Sequence, residues 1–292
     1  RSPGEGDAPG PSDTGRAYLY KLSGSTWALH RTLESPVVDT HGPFGISVAL
    51  SQTYAFVGAP DHGGFDGFQG RVYAFYRDEN GIDNWGAPDD GQILLRSEPR
   101  MMGDFFGYSV AVSGDYAVIG IPESGQLDPQ GGASIFHLSG GTWSQTAALE
   151  SPNPAFDYFG SAVSISGDVA AVGAPDEEAV YVYARSGSSW IPEVVVASDA
   201  STGPKFGSSV AVDGALLAVG APEDDGAAGS VYFFRRDSEG WKQERKLSAS
   251  DSSAGAQVGS AAALCGYDAV AAALGNTTPD LAGAAYFFVR TR

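Results

Sequence analysis

Five segments of this chain are close copies of one another. Residues 44–60 read FGISVALSQTYAFVGAP, 106–122 FGYSVAVSGDYAVIGIP, 159–175 FGSAVSISGDVAAVGAP and 206–222 FGSSVAVDGALLAVGAP. A worn fifth copy, VGSAAALCGYDAVAAALG, starts at Val258. The opening dipeptides lie 62, 53, 47 and 52 residues apart. A period near fifty carried by strand-like residues is the mark of propeller blades.

Each copy continues in a fixed order. A Gly- and Asp-rich loop leads to a short aromatic strand: VYAF from Val72, ASIF from Ala133, VYVY from Val180, VYFF from Val231 and AYFF from Ala285. A Trp-bearing segment follows, with Trp85, Trp143, Trp190 and Trp241. That makes four strands per unit. SVAVSGDYAVIG alternates on either side of Gly114-Asp115, the chemistry of a tight hairpin. Ala, Val and Ser suit the crowded inner strands of a propeller, and aromatic residues suit the widening gap further out. The Pro of the GAP sequence has no N–H to extend a ladder and ends the second strand. The repeated positions therefore read as scaffold.

These residues resemble the FG-GAP repeats of integrin α-subunit β-propellers, and more closely the FG-GAP variety of bacterial and algal surface proteins. The likeness runs from about Gly15 to Phe288. It implies an all-β propeller of four-stranded blades and a role in adhesion, glycan binding or assembly; fold alone does not choose among these. One departure matters. Integrin-type repeats that bind calcium carry an Asp-rich loop between the first two strands, where this chain has only SGD at 113–115 and 166–168, VDG at 212–214 and SQT at 51–53. So short a turn cannot wrap a cation that needs six to eight oxygens, so those calcium sites do not carry over.

The two ends are out of phase. Residues 6–33 read as the end of a unit, with an aromatic AYLY from Ala17 and then Trp27, while the chain closes on AYFFVRTR with no Trp segment. The strand count is two, then sixteen from four full units, then three. Completion of one terminal blade by the other end is obstructed, because both ends offer the aromatic third strand. Either one copy is displaced and about five blades close, or further strands lie outside this sequence. The expectation adopted is one domain over 1–292, a six- or seven-bladed ring whose ends fall mid-blade. Its units begin near Phe44, Phe106, Phe159, Phe206 and Val258, with a partial unit over 1–43.

Composition narrows the function classes. Of 292 residues 42% are hydrophobic, enough for a core, and 40 Gly with 17 Pro favour turns over long helices. Asp and Glu number 35 against 17 Lys and Arg, a net charge of −18 that makes nucleic acid and anionic membrane poor partners. No apolar run is long enough to span a bilayer, so direct membrane insertion is not expected. Cys265 stands alone, which excludes an internal disulfide and leaves the compartment open. The one sequon, Asn276-Thr277-Thr278, sits just before Pro279 and adds a little weight to secretion. His30, His41, His62 and His137 show no metal-ligand spacing, and no nucleophile or phosphate-loop motif occurs, so no enzyme is expected.

Function is expected in the less repetitive loops. Those after each GAP emerge on one face of the disc, and Asp176, Glu177 and Glu178, or Glu223, Asp224 and Asp225, are candidate oxygen ligands for calcium. Phe65 and Phe68 in the first such loop, and Met101 and Met102 in the longest insertion, are candidate contacts for a protein or a glycan. The leading expectation is a non-enzymatic extracellular or cell-surface module that binds protein partners through its loop face or chain ends. A calcium-assisted, lectin-like propeller is the alternative.

Overall fold

The computed structural model describes residues 15–36, 42–62, 69–79, 81–86, 92–94, 103–122, 131–153, 158–199, 203–251, 253–275 and 283–289. Two strands form an N-terminal ribbon: β1 (Ala17–Ser23) and β2 (Thr26–Leu33). Blade 1 holds β3 (Ser47–Leu50), β4 (Tyr54–Ala59), β5 (Arg71–Tyr76) and β6 (Gln92–Leu94). Blade 2 holds β7 (Ser109–Ser113), β8 (Tyr116–Ile121), β9 (Gly132–Ser139) and β10 (Thr142–Glu150). Blade 3 holds β11 (Val163–Ser166), β12 (Val169–Ala174), β13 (Ala179–Ser186) and β14 (Ser189–Val195). Blade 4 holds β15 (Ser209–Asp213), β16 (Leu216–Ala221), β17 (Ser230–Asp237) and β18 (Gly240–Leu247). Blade 5 has three strands, β19 (Val258–Cys265), β20 (Asp268–Ala273) and β21 (Ala284–Phe288).

Every sheet is an antiparallel meander in chain order. The strand content matches the repeat, but the blade number does not match the expected six or seven. The described residues make five blades, four complete and one three-stranded, with the ribbon beside blade 1. The repeat fixes what a blade contains. The five blades are the five copies, and the expected six or seven had rested on further strands counted in to close a ring.

The inner hairpins form as their sequences dictate. Ser113 pairs with Tyr116 across Gly114-Asp115, and Gly114 has φ 57°, as a primed two-residue turn requires. Within a blade the Phe that opens the repeat rests on the aromatic strand. Phe206 meets Tyr232 edge-on at 5.3 Å and Phe234 at 6.0 Å, and Phe159 meets Tyr181 at 5.5 Å.

The cores lie between blades. One cluster joins the ribbon to blade 1 and another joins blade 1 to blade 2; further clusters sit between blades 2 and 3, 3 and 4, and 4 and 5. The second and third strands of blades 1 to 4, such as β4 and β8, are apolar on both faces because each face meets a different neighbour, as for any sheet covered on two sides. Val118, for example, packs towards blade 3, whereas its neighbours Ala117 and Ile119 pack towards blade 1.

Candidate interaction surface

The repeated motif builds the joints. At Gly173, the Gly of GAP in blade 3, an added Cβ would overlap the carbonyl oxygen of Gly207, the Gly after Phe206 in blade 4. Gly58, Gly120 and Gly220 approach Gly107, Gly160 and Gly259 of their next blades in the same way. The serine four positions into the repeat adds a hydrogen bond across three of these joints. Ser47, Ser109 and Ser209 donate from Oγ to the carbonyls of Gly107, Gly160 and Gly259 at 2.7, 2.8 and 2.8 Å. Blade 3 has Ala162 at this position. The motif thus occupies the seam between blades, where a side chain has no room.

The acidic loops are part of the same seam. Glu178 accepts hydrogen bonds from the backbone N–H groups of Lys205 (3.0 Å) and Phe206 (2.7 Å), at the entry to blade 4. Asp176 pairs with Lys205 Nζ at 2.6 Å, a bond that raises the lysine pKa. Glu177 accepts the hydroxyl of Tyr181 at 2.8 Å. One blade on, Asp224 is buried and accepts from Tyr232 at 3.1 Å and from Lys246 Nζ at 2.7 Å. Lys246 also reaches Asp199 (2.9 Å) and Asp225 (3.4 Å). Burial opposes the Lys246 charge, yet its bonds to Asp224 and Asp199 prevail and raise its pKa. Burial would likewise raise Asp199, but its bond to Lys246 leaves that carboxyl below its usual range. Glu223 is exposed at the start of a tight turn, residues 224–227, in which Asp225 and Gly226 are left-handed.

Of the six residues read as cation ligands, Asp176, Glu177, Glu178, Asp224 and Asp225 thus face protein donors. No group of three or more His, Cys, Asp or Glu side chains is arranged to hold a metal among the described residues. The chain does repeat a polar pair that its sequence displays. The second residue after the GAP Pro meets the aromatic-strand tyrosine in three blades: His62 with Tyr73 at 3.0 Å, Glu177 with Tyr181, and Asp224 with Tyr232. Of the remaining candidates, Phe65, Phe68, Met101 and Met102 lie outside the described residues.

Exposed apolar residues occur on the ribbon, blade 1 and blade 5, and also elsewhere, as at Ile82, Ile191 and Val194. Val48 of blade 1 is 62% exposed, whereas its counterparts Val110 and Val210 are 9% and 7% exposed. Leu50 is 59% exposed against 6% for Val212. On the ribbon Tyr18, Tyr20 and Leu29 are exposed, and so is Trp27 at 66%, whereas its counterpart Trp143 is at 4%. At the other end, Phe287 of blade 5 is 76% exposed, where Ala74 and Ile135 of earlier blades are sealed against a neighbour. Among the described residues no blade packs on these faces. Sequence reading missed them as surface, because the residues are the ones the repeat uses to fill a core.

A cleft of about 660 Å³ opens between blades 4 and 5, walled by Leu216, Phe233 and Leu247 on one side and by Leu264, Tyr267 and Phe288 on the other. Its rim carries Glu244 and Arg245, and Arg235 stacks over Tyr267 at 5.3 Å.

No helix among the described residues is long and apolar enough to cross a membrane. An FG-GAP repeat family model matches residues 100–136, 143–191 and 193–234, which fall on blades 2 to 4. No curated protein matches the sequence. The matched segments are FG-GAP repeats, and they supply blades 2 to 4 of the propeller.

Proposed function

We propose that this FG-GAP propeller is a non-enzymatic protein-interaction module, displayed outside the cell or on its surface, that contributes to adhesion or to a larger assembly. One observation carries the reading. Among the described residues the repeat and its acidic loops form the joints between blades, while apolar side chains of the ribbon, blade 1 and blade 5 are exposed. Exposed apolar surface of this kind marks a place for contact with another polypeptide segment, of this protein or of a partner. The strong acidity keeps such a module soluble when alone and turns away nucleic acid and anionic lipid.

The test is the native mass of the protein isolated from its source under mild conditions, with its subunits identified by mass spectrometry. A particle well above the 30.2 kDa of the chain, containing other polypeptides, is expected. A lone particle of chain mass would sink the reading. Surface biotinylation of intact cells checks the compartment: labelling of the protein beside a known external marker is expected, and labelling only after lysis would remove the extracellular part.

A further inference from the structure

We infer that the turn after the GAP sequence of blade 4, residues 223–228, is a strained clasp: Lys246 holds it left-handed, and in that form it seats blade 5. Three successive residues have positive φ, Asp225 at 49°, Gly226 at 70° and Ala227 at 64°. Glycine takes this conformation freely and aspartate tolerates it, but the Cβ of alanine crowds the following carbonyl. L residues visit it singly as a rule, so a run that includes Asp225 and Ala227 persists only where its surroundings impose it.

Contacts on two sides impose it. Within blade 4, the buried carboxylate of Asp224 accepts the Tyr232 hydroxyl at 3.1 Å and Lys246 Nζ at 2.7 Å. The same ammonium reaches Asp225 at 3.4 Å and Asp199 at 2.9 Å, so it fixes the turn through two successive carboxylates. Towards blade 5, the Ala227 carbonyl accepts the N–H groups of Gly255 (2.9 Å) and Gln257 (3.0 Å), and the Ala228 carbonyl accepts that of Val258 (3.0 Å). Val258 opens β19, and Gly229 bridges to it. A right-handed turn through the same residues would point both carbonyls elsewhere, so the seat of blade 5 depends on the left-handed form.

The lysine and the strained run go together. Lys246 pairs with Tyr232 across β17 and β18, a place held by Ile93, Ala148 and Val194 in the other complete blades. At the junction before, where that place holds Val194, the turn has one left-handed residue, Glu178 at 59°. Its side chain meets the N–H groups of Lys205 and Phe206 at the entry to blade 4. Blade 4 gives that task to backbone carbonyls and its carboxylates to Lys246. The seating of blade 5 is thereby tied to one charge.

Amide hydrogen exchange, followed residue by residue by NMR on the purified chain, tests the clasp. Lys246→Met should lower the protection of Gly255, Gln257 and Val258 by roughly tenfold or more, and that of the β20 amides by less. Adding Ala227→Gly should restore the three amides, because glycine keeps the left-handed backbone without the lysine. A lysine that only stabilises the fold would move all the blade 5 amides together, and Ala227→Gly would repair none of them. Ala227→Gly alone serves where Lys246→Met fails to fold. It should raise the protection of the three amides about fivefold, the relief of one left-handed alanine. Unchanged protection in Lys246→Met, an equal loss through β20, no recovery in the double variant, or no gain in Ala227→Gly alone would overturn the proposal.

Discussion

The junction between blades 3 and 4 and the two end faces are made of the same residues and meet opposite fates. Val210 and Val212 of blade 4 are sealed between neighbours, while Val48 and Leu50, at the same positions three blades earlier, face solvent. Trp143 is enclosed by Tyr54 and Phe56, while Trp27 stands free on the ribbon. The difference lies in position within a series of blades and not in sequence. A repeat sequence writes every face as if it will be covered, because each unit cannot bury its faces alone. Among the described residues the first and last units therefore present core chemistry with no blade packed on it.

The sharpest way to break this comparison is to truncate the two tryptophans separately. Trp143→Ala should lower unfolding free energy by about 4 kcal/mol, the range for a large aromatic removed from a core, and Trp27→Ala by under about 0.5 kcal/mol. Urea denaturation measures both. Equal losses would mean that Trp27 is enclosed in solution and that the ribbon face is not open.

Within the closed seams, charge is the next lever. Lys246→Met leaves the buried Asp224 and its neighbour Asp199 without their cation, and about 3 kcal/mol should be lost. Lys242→Met, whose partners Asp237 and Glu239 are exposed, should cost under about 1 kcal/mol. The pH profile follows from the direction at Asp199. A carboxyl held low stabilises the fold above its unfolded pKa, and that contribution fades as pH falls through the lower folded value. Wild type should therefore lose stability below about pH 4 more steeply than Lys246→Met. Parallel acid limbs would show that the cluster carries no linkage.

Backbone contact separates the seams from the turns by a smaller margin. Gly173→Ala drives a Cβ into the Gly207 carbonyl and should cost about 3 kcal/mol. Gly24→Ala, in the ribbon turn with φ 61° and open space around it, should cost about 1 kcal/mol for the left-handed backbone alone. Thermal melts of the two variants rank them, and a reversed order would remove the seam role assigned to the motif.

Much of this was legible in the sequence for a physical reason. Strand identity, the Gly114 hairpin and the edge set by the GAP Pro are local consequences of residue type, and the five copies state each of them repeatedly. The acidic loops were harder. Consecutive carboxylates look the same whether they wait for a cation or cap a neighbouring backbone, and the sequence does not show that Glu178 accepts the Phe206 N–H at 2.7 Å. One clue lay in the sequence: a polar residue two places after the Pro, together with a tyrosine at the third position of the aromatic strand, as in Glu177 and Tyr181. The blade number was legible in the five copies and the strand count; the expectation of six or seven came from adding strands to close a ring.

The smallest expected effect tests the end faces most directly. Phe287→Ser removes an exposed ring from the outer face of blade 5 and should change stability by less than about 0.5 kcal/mol in the isolated protein. The same change at Ile135, which holds the equivalent place in blade 2 and is sealed against blade 3, should cost about 3 kcal/mol, because a hydroxyl would be buried in an apolar cluster and a cavity left beside it. Two substitutions at one register position, differing only in whether a blade follows, separate the chemistry of the residue from the presence of a neighbour. If Phe287→Ser proves as costly as Ile135→Ser, something already covers the end face, and the search for a partner should begin with the protein itself.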